Sequence, residues 1–150
     1  MITVLRQLQQ KIAGPVKPFA FLVVRILIGY AFFRAGWEKL TDLEAAAQVM
    51  KYAGVPLPEV NAIVVGIFES LVGLLTMAGL ATRVASAIGI GILMVAILTV
   101  HTGEMAQLFS HPNKVVAAAP IPYLLAFLLL GTAGPGKFSV DKAIGLEGDD

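Results

Sequence analysis

Residues 19–40, FAFLVVRILIGYAFFRAGWEKL, are apolar enough for a bilayer yet carry Arg25, Arg34, Glu38 and Lys39. As a helix the stretch covers about 33 Å, enough to cross a hydrocarbon core of about 30 Å. An arginine near the middle of such a span costs about 2.5 to 3.5 kcal/mol to insert. Charges persist there when they face a bundle interior, a partner or water. The rest of the chain must supply one of these.

Three further apolar runs, at about residues 59–80, 83–101 and 115–133, are each close to the length of a crossing. The chain is 57% apolar and 14% charged, where soluble domains are about one quarter charged, and its mean hydropathy is +0.83. These features predict a single all-α domain over residues 1–150, an integral membrane protein with four transmembrane helices in an antiparallel bundle. Its first partner is therefore the lipid bilayer. A net charge of +1 without a basic block gives no sign of nucleic-acid binding. The chain has no cysteine, so it cannot itself shuttle thiols or form a disulfide. Arg25 interrupts the first apolar segment and no A-x-A site follows it, so that segment is expected to stay in the mature protein.

Residues 1–18 carry Arg6, Lys11 and Lys17, with Val4, Leu5, Leu8 and Ile12 at helical spacing. They read as a basic amphipathic helix on a membrane surface, broken by Gly14, Pro15 and Pro18 before the first span. Between spans one and two, Leu43, Ala46, Ala47, Val49 and Met50 suggest an interfacial helix, and GVPLP (54–58) turns the chain back. A short turn at residues 81–83 makes spans two and three an antiparallel pair. Ser86, Gly89 and Gly91 are small enough for close helix packing. Pro120 and Pro122 should kink the fourth span. GPGKFSVD (134–141) ends it and opens a polar tail over residues 134–150, with Glu147, Asp149 and Asp150 at its end.

Arg6, Lys11, Lys17, Arg83, Lys137 and Lys142 fall on one side of this topology, and Lys39, Lys51 and Lys114 on the other. The positive-inside rule then puts both termini in the cytoplasm. Glu69 lies near the middle of span two, between the levels of Arg25 and Arg34, so that pairing with an arginine would lower the insertion cost of both. Arg34 and Glu38 can also pair along one helix face. The network either docks helices one and two or lines a polar pocket for a headgroup or a proton path. A second group, Trp37, Lys39, Asp42, His101, Glu104 and His111, is expected at the outer face. There Trp37 reads as an interfacial anchor and His101 as a helix-end histidine able to donate to a quinone carbonyl. The histidine spacing is too weak for a metal site.

GWEKL (36–40) after an early arginine resembles the G-x-x-K signature of the DoxX family. GVPLP, GIFESLVGLL around Glu69, the GLATR turn, the late histidine of span three and GPGKFSVDKAI follow in the family's order over about residues 20–144. The resemblance implies a four-helix protein of the bacterial inner (cytoplasmic) membrane and matches Arg25, Lys39, Glu69, Arg83 and Asp141 to its polar pattern. Since relatives in the family serve redox complexes, the leading expectation is an accessory subunit of a quinone-linked redox complex. In it Arg25, Arg34 and Glu69 would hold the bundle and shape a polar cavity, and Lys39 and His101 would meet a headgroup or partner at the outer face. No cofactor is expected to be bound covalently, and a quinone is the candidate ligand. The competing class is a non-catalytic assembly, escort or structural subunit, working with a membrane-protein partner or as a homo-oligomer. A small-molecule transporter ranks behind both, because no inverted repeat is visible.

Overall fold

The computed structural model describes residues 2–146, with side chains from residue 15 onward. All of its elements among the described residues are helical: α1 (Ile2–Thr41), α2 (Leu43–Tyr52), α3 (Pro58–Ala78), α4 (Thr82–Thr99), α5 (Thr102–Met105), α6 (Pro112–Ala117), α7 (Pro120–Ala133) and α8 (Val140–Ala143). Three segments are long and apolar enough to cross a membrane, Pro15–Thr41, Pro58–Ala78 and Thr82–Thr99, and α7 is a shorter apolar helix. Most residues of these helices face outward. Leu71, Leu74, Val84, Val95, Leu98 and Leu125 are among the large apolar side chains left exposed, the surface that hydrocarbon rather than water can cover.

The expected break at Gly14, Pro15 and Pro18 does not occur, because α1 runs through both prolines. A proline within a spanning helix removes one backbone bond and leaves the segment intact where its surroundings tolerate the freed carbonyl. The amphipathic face expected of Val4, Leu5, Leu8 and Ile12 lies outside the described side chains, as do Glu147, Asp149 and Asp150. The expected interfacial helix is α2. It starts at Asp42, whose carboxylate caps the N–H of Ala45 at 3.1 Å, and it buries Met50.

The fourth apolar run is not one helix. Pro120 has no N–H to continue the ladder, and the chain leaves helical geometry at Ala118, where ψ is 130°. The kink predicted from the prolines is thus a full break between α6 and α7.

The core joins four elements: Phe32 of α1, Val72 of α3, Ala85 and Leu93 of α4, and Phe127 of α7. The Phe32 and Phe127 rings meet edge-on at 5.0 Å, a favoured aromatic geometry. Below this core, α1 and α3 touch backbone to backbone. A Cβ added to Gly36 would strike the amide nitrogen of Ser70 and come within 2.6 Å of the Gly66 carbonyl. One added to Gly73 would strike the amide nitrogen of Phe33 and come within 2.6 Å of the Gly29 carbonyl. Glycines seven residues apart on each helix therefore set the register of this antiparallel pair.

Candidate functional site

Lys39 lies in the last turn of α1 and Glu69 near the middle of α3. Helical side chains lean toward the N-terminus of their own helix, so Lys39 reaches back along α1 into the bundle. Its Nζ donates to Glu69 Oε2 at 2.6 Å and to the Ala35 carbonyl at 3.3 Å. The Glu69 side chain is 9% exposed and that of Lys39 29%, so the lysine forms the accessible wall of the pair. Next to Glu69, the Ser70 hydroxyl is buried without a hydrogen-bond partner. The ring of Tyr123 packs on that of Phe32 at 5.8 Å.

The arginine–Glu69 pairing expected from the sequence is replaced by this lysine–glutamate pair. Glu69 is level with Arg34 rather than midway between the two arginines. Arg34 is turned outward by helix phase, Arg25 lies on the buried face but too far along α1, and Lys39 has both the face and the reach. Arg34 instead pairs with Glu38 at 2.7 Å, as the i, i+4 spacing predicts, on the outside of α1.

Arg25 is buried at the opposite end of the bundle, where it donates to the Pro135 carbonyl at 2.9 Å and to the Met77 carbonyl at 3.2 Å. It thereby satisfies a carbonyl in the last turn of α3, where the helix dipole favours a cation, and one in the loop that follows α7. Across from it, Asp141 is 4% exposed. Its carboxylate accepts from the N–H groups of Ala81 at 2.6 Å and Thr82 at 2.9 Å, and its own N–H bonds the Gly79 carbonyl at 2.9 Å. Asp141 thus caps α4 in place of a side chain on its N-cap residue Ala81, from about 60 residues away in sequence. Residues 134–146, read as the start of a polar tail, fold back as a latch that ties α1 to the turn between α3 and α4.

The outer group of the sequence reading does not gather into one site. Trp37 is exposed and stacks on Phe33 at 6.0 Å. His101 lies 3.7 Å from Glu104 within the turn that starts α5, and His111 Nδ1 is 3.2 Å from the Ser110 hydroxyl. Among the described residues, no three histidine or acidic side chains converge on a metal position. The structure therefore brings together Lys39 and Glu69 and places Arg25, Arg34 and His101 elsewhere. The sequence reading had both residues among its candidates but not as each other's partner.

Truncating one member of a buried ion pair strands the other. Lys39→Ala is expected to cost about 3 to 5 kcal/mol in detergent unfolding, whereas Lys39→Ala combined with Glu69→Ala should recover most of that loss.

A family model described as DoxX matches residues 20–102, more than half of the chain. Two relatives from Escherichia coli strain K12 are similar along nearly their full length. The inner membrane protein YphA is 28% identical over 86% of this chain and 93% of its own. The inner membrane protein YqjF is 29% identical over 82% and 90%. No solved structure matches. The match covers α1 through α4, and so contains both Lys39 and Glu69. With its membrane-spanning helices, the chain is a multi-pass protein of the inner membrane, and it belongs to the DoxX family.

Proposed function

We propose that this chain is an accessory membrane subunit of a quinone-linked redox complex and that Lys39 and Glu69 meet the quinone headgroup. The observation that carries this is a mostly buried ion pair at the middle of α3, accessible on its lysine side, that helix docking does not require, since the glycines of α1 and α3 already fix the register. Ion pairs inside a membrane protein cost insertion energy and mark pathways for ions, protons or polar headgroups.

The donor set fits a quinone. A lysine ammonium has three N–H groups, and two are used, on Glu69 and Ala35. The third is left for a carbonyl oxygen on the accessible side of Lys39. A bound quinone would supply two-electron, two-proton redox chemistry, with electrons exchanged through a partner subunit. The chain's own part is to orient the headgroup through Lys39 Nζ and to hold an exchangeable proton between Lys39 and Glu69. In the topology that goes with this reading, α6 and α7 together make the fourth crossing and both termini are cytoplasmic, with Arg83, Lys137 and Lys142 on that side.

Isolation of the tagged protein from native membranes in mild detergent, with mass spectrometry of proteins and lipids, tests the reading. Wild type is expected to carry redox subunits and quinone. Glu69→Gln should keep the subunits and lose quinone about tenfold, the effect of one charge-assisted hydrogen bond. Varied client proteins without quinone would favour the second reading, an assembly or escort subunit. The exposed Arg34–Glu38 pair on the outer face of α1 is the observation that supports that alternative.

A further inference from the structure

Arg34 and Glu38 pose a problem the bundle does not solve. Their side chains are 49% and 64% exposed, on the outside of a helix apolar and long enough to span the membrane. Gly36 lies against Ser70 and Gly66 of α3, so Arg34 is level with the middle of α3 rather than with its end. A guanidinium there faces hydrocarbon unless another polar surface covers it. Pairing with Glu38 neutralises the charge but leaves most of the hydrogen-bonding capacity of both groups facing outward.

The same face carries Val23, Leu27, Tyr30 and Trp37, all exposed. With Arg34 they are spaced alternately four and three residues apart, the pattern of a seam between two supercoiled helices. A single polar position in such a seam fixes register and oligomeric state.

We infer that this face of α1 is the interface with a second copy of the chain, in which Arg34 of each copy bonds Glu38 of the other. The argument for a second copy is charge complementarity. A two-fold contact sets residue i against j and j against i. Arg34 and Glu38 have opposite charge, lie one turn apart and share the face. Two copies side by side in the same membrane orientation therefore offer two crossed pairs, and the four charges sum to zero. The arrangement is independent of the quinone reading, since Lys39 and Glu69 lie on the other side of α1.

The chain has no cysteine, so single-cysteine variants report proximity without background. Leu27→Cys and Leu71→Cys, the latter on the exposed face of α3, are reconstituted in phospholipid vesicles and oxidised with copper phenanthroline, which accepts the electrons as two thiols become a disulfide. Leu27→Cys is expected to give a cross-linked dimer and Leu71→Cys only background. Arg34→Glu in the Leu27→Cys chain should lower the yield about tenfold through like-charge repulsion, and Arg34→Glu with Glu38→Arg should restore it, because the reversed pair is again self-complementary. The thermal midpoint in detergent should stay with wild type in all of these, since neither charge enters the core. Equal cross-linking at Leu71, or a Leu27 yield that Arg34→Glu leaves unchanged, overturns the inference and assigns the charges to lipid headgroups or to a different protein.

Discussion

Gly36→Val is expected to abolish the stable bundle, and Gly73→Val to do the same. In both cases the new atoms would have to enter the backbone of the facing helix. A single Cβ on Gly36 already comes within 2.6 Å of the Gly66 carbonyl and the Ser70 hydroxyl, and real Cβ atoms do not approach so closely. Overpacking an adaptable core costs about 1 to 3 kcal/mol. Here the obstacles are main-chain atoms that cannot rotate away, so a loss above about 3 kcal/mol is expected. The α1–α3 pair also carries Lys39 and Glu69, so separating the helices would dismantle the site. Gly91 is the control. Nothing lies within 4 Å of a Cβ built there, and Gly91→Ala should match or exceed wild type by up to about 1 kcal/mol, the gain in helix propensity. Unfolding in mixed dodecyl maltoside and sodium dodecyl sulfate micelles measures both. Equal midpoints for Gly36→Val and wild type would remove the close-packed pair from the account.

Asp141→Ala is the second large effect, from a residue far from Lys39. The substitution strands the N–H groups of Ala81 and Thr82 at the start of α4. It also removes a negative charge from the end of the bundle that buries Arg25. Two charge-assisted bonds are lost and buried donors are left unmade, so a loss of about 3 kcal/mol is expected. Asp141→Asn keeps one acceptor oxygen and should fall between alanine and wild type. Arg25→Met should also destabilise, by stranding the carbonyls of Met77 and Pro135. Because the two residues act in one latch, the double variant should lose less than the sum of the single losses, with a coupling of about 0.5 to 3 kcal/mol. Limited proteolysis should show earlier cleavage near residues 134–146 in Asp141→Ala. An Asp141→Ala protein as stable and as protease-resistant as wild type would leave the segment without its assigned role.

The helical class and the position of three spans could be read from the sequence because lipid imposes a length and an apolar composition on each crossing. The Arg34–Glu38 pair could be read because i, i+4 neighbours on one helix are fixed by the helix itself. The partner of Glu69 could not. Depth along antiparallel helices gives the level of a side chain, whereas its partner depends on the rotation of each helix about its axis. That rotation is set by Gly29, Gly36, Gly66 and Gly73 meeting face to face. Gly36 appeared in the sequence only as part of a motif, and the structure shows why that position has no side chain. Asp141 was hidden for another reason. An N-cap is ordinarily sought next to the helix it caps, and this one arrives from a segment whose composition resembles a solvated tail. The split of the fourth run at Ala118 was foreshadowed by Pro120 and Pro122, but whether prolines bend or break a helix depends on what packs beside them.

If Lys39 and Glu69 meet a quinone headgroup, a reactive quinone must mark them. Photoaffinity labelling of the protein in native membranes with an azidoquinone, followed by peptide mapping, tests it most directly. Label is expected on the peptides that contain Lys39 and Glu69, competed by unlabelled quinone and reduced about tenfold in a Glu69→Gln protein that still folds and assembles. Label scattered over the lipid-facing residues of α3 and α4, or label at the pair that Glu69→Gln leaves unchanged, would contradict it.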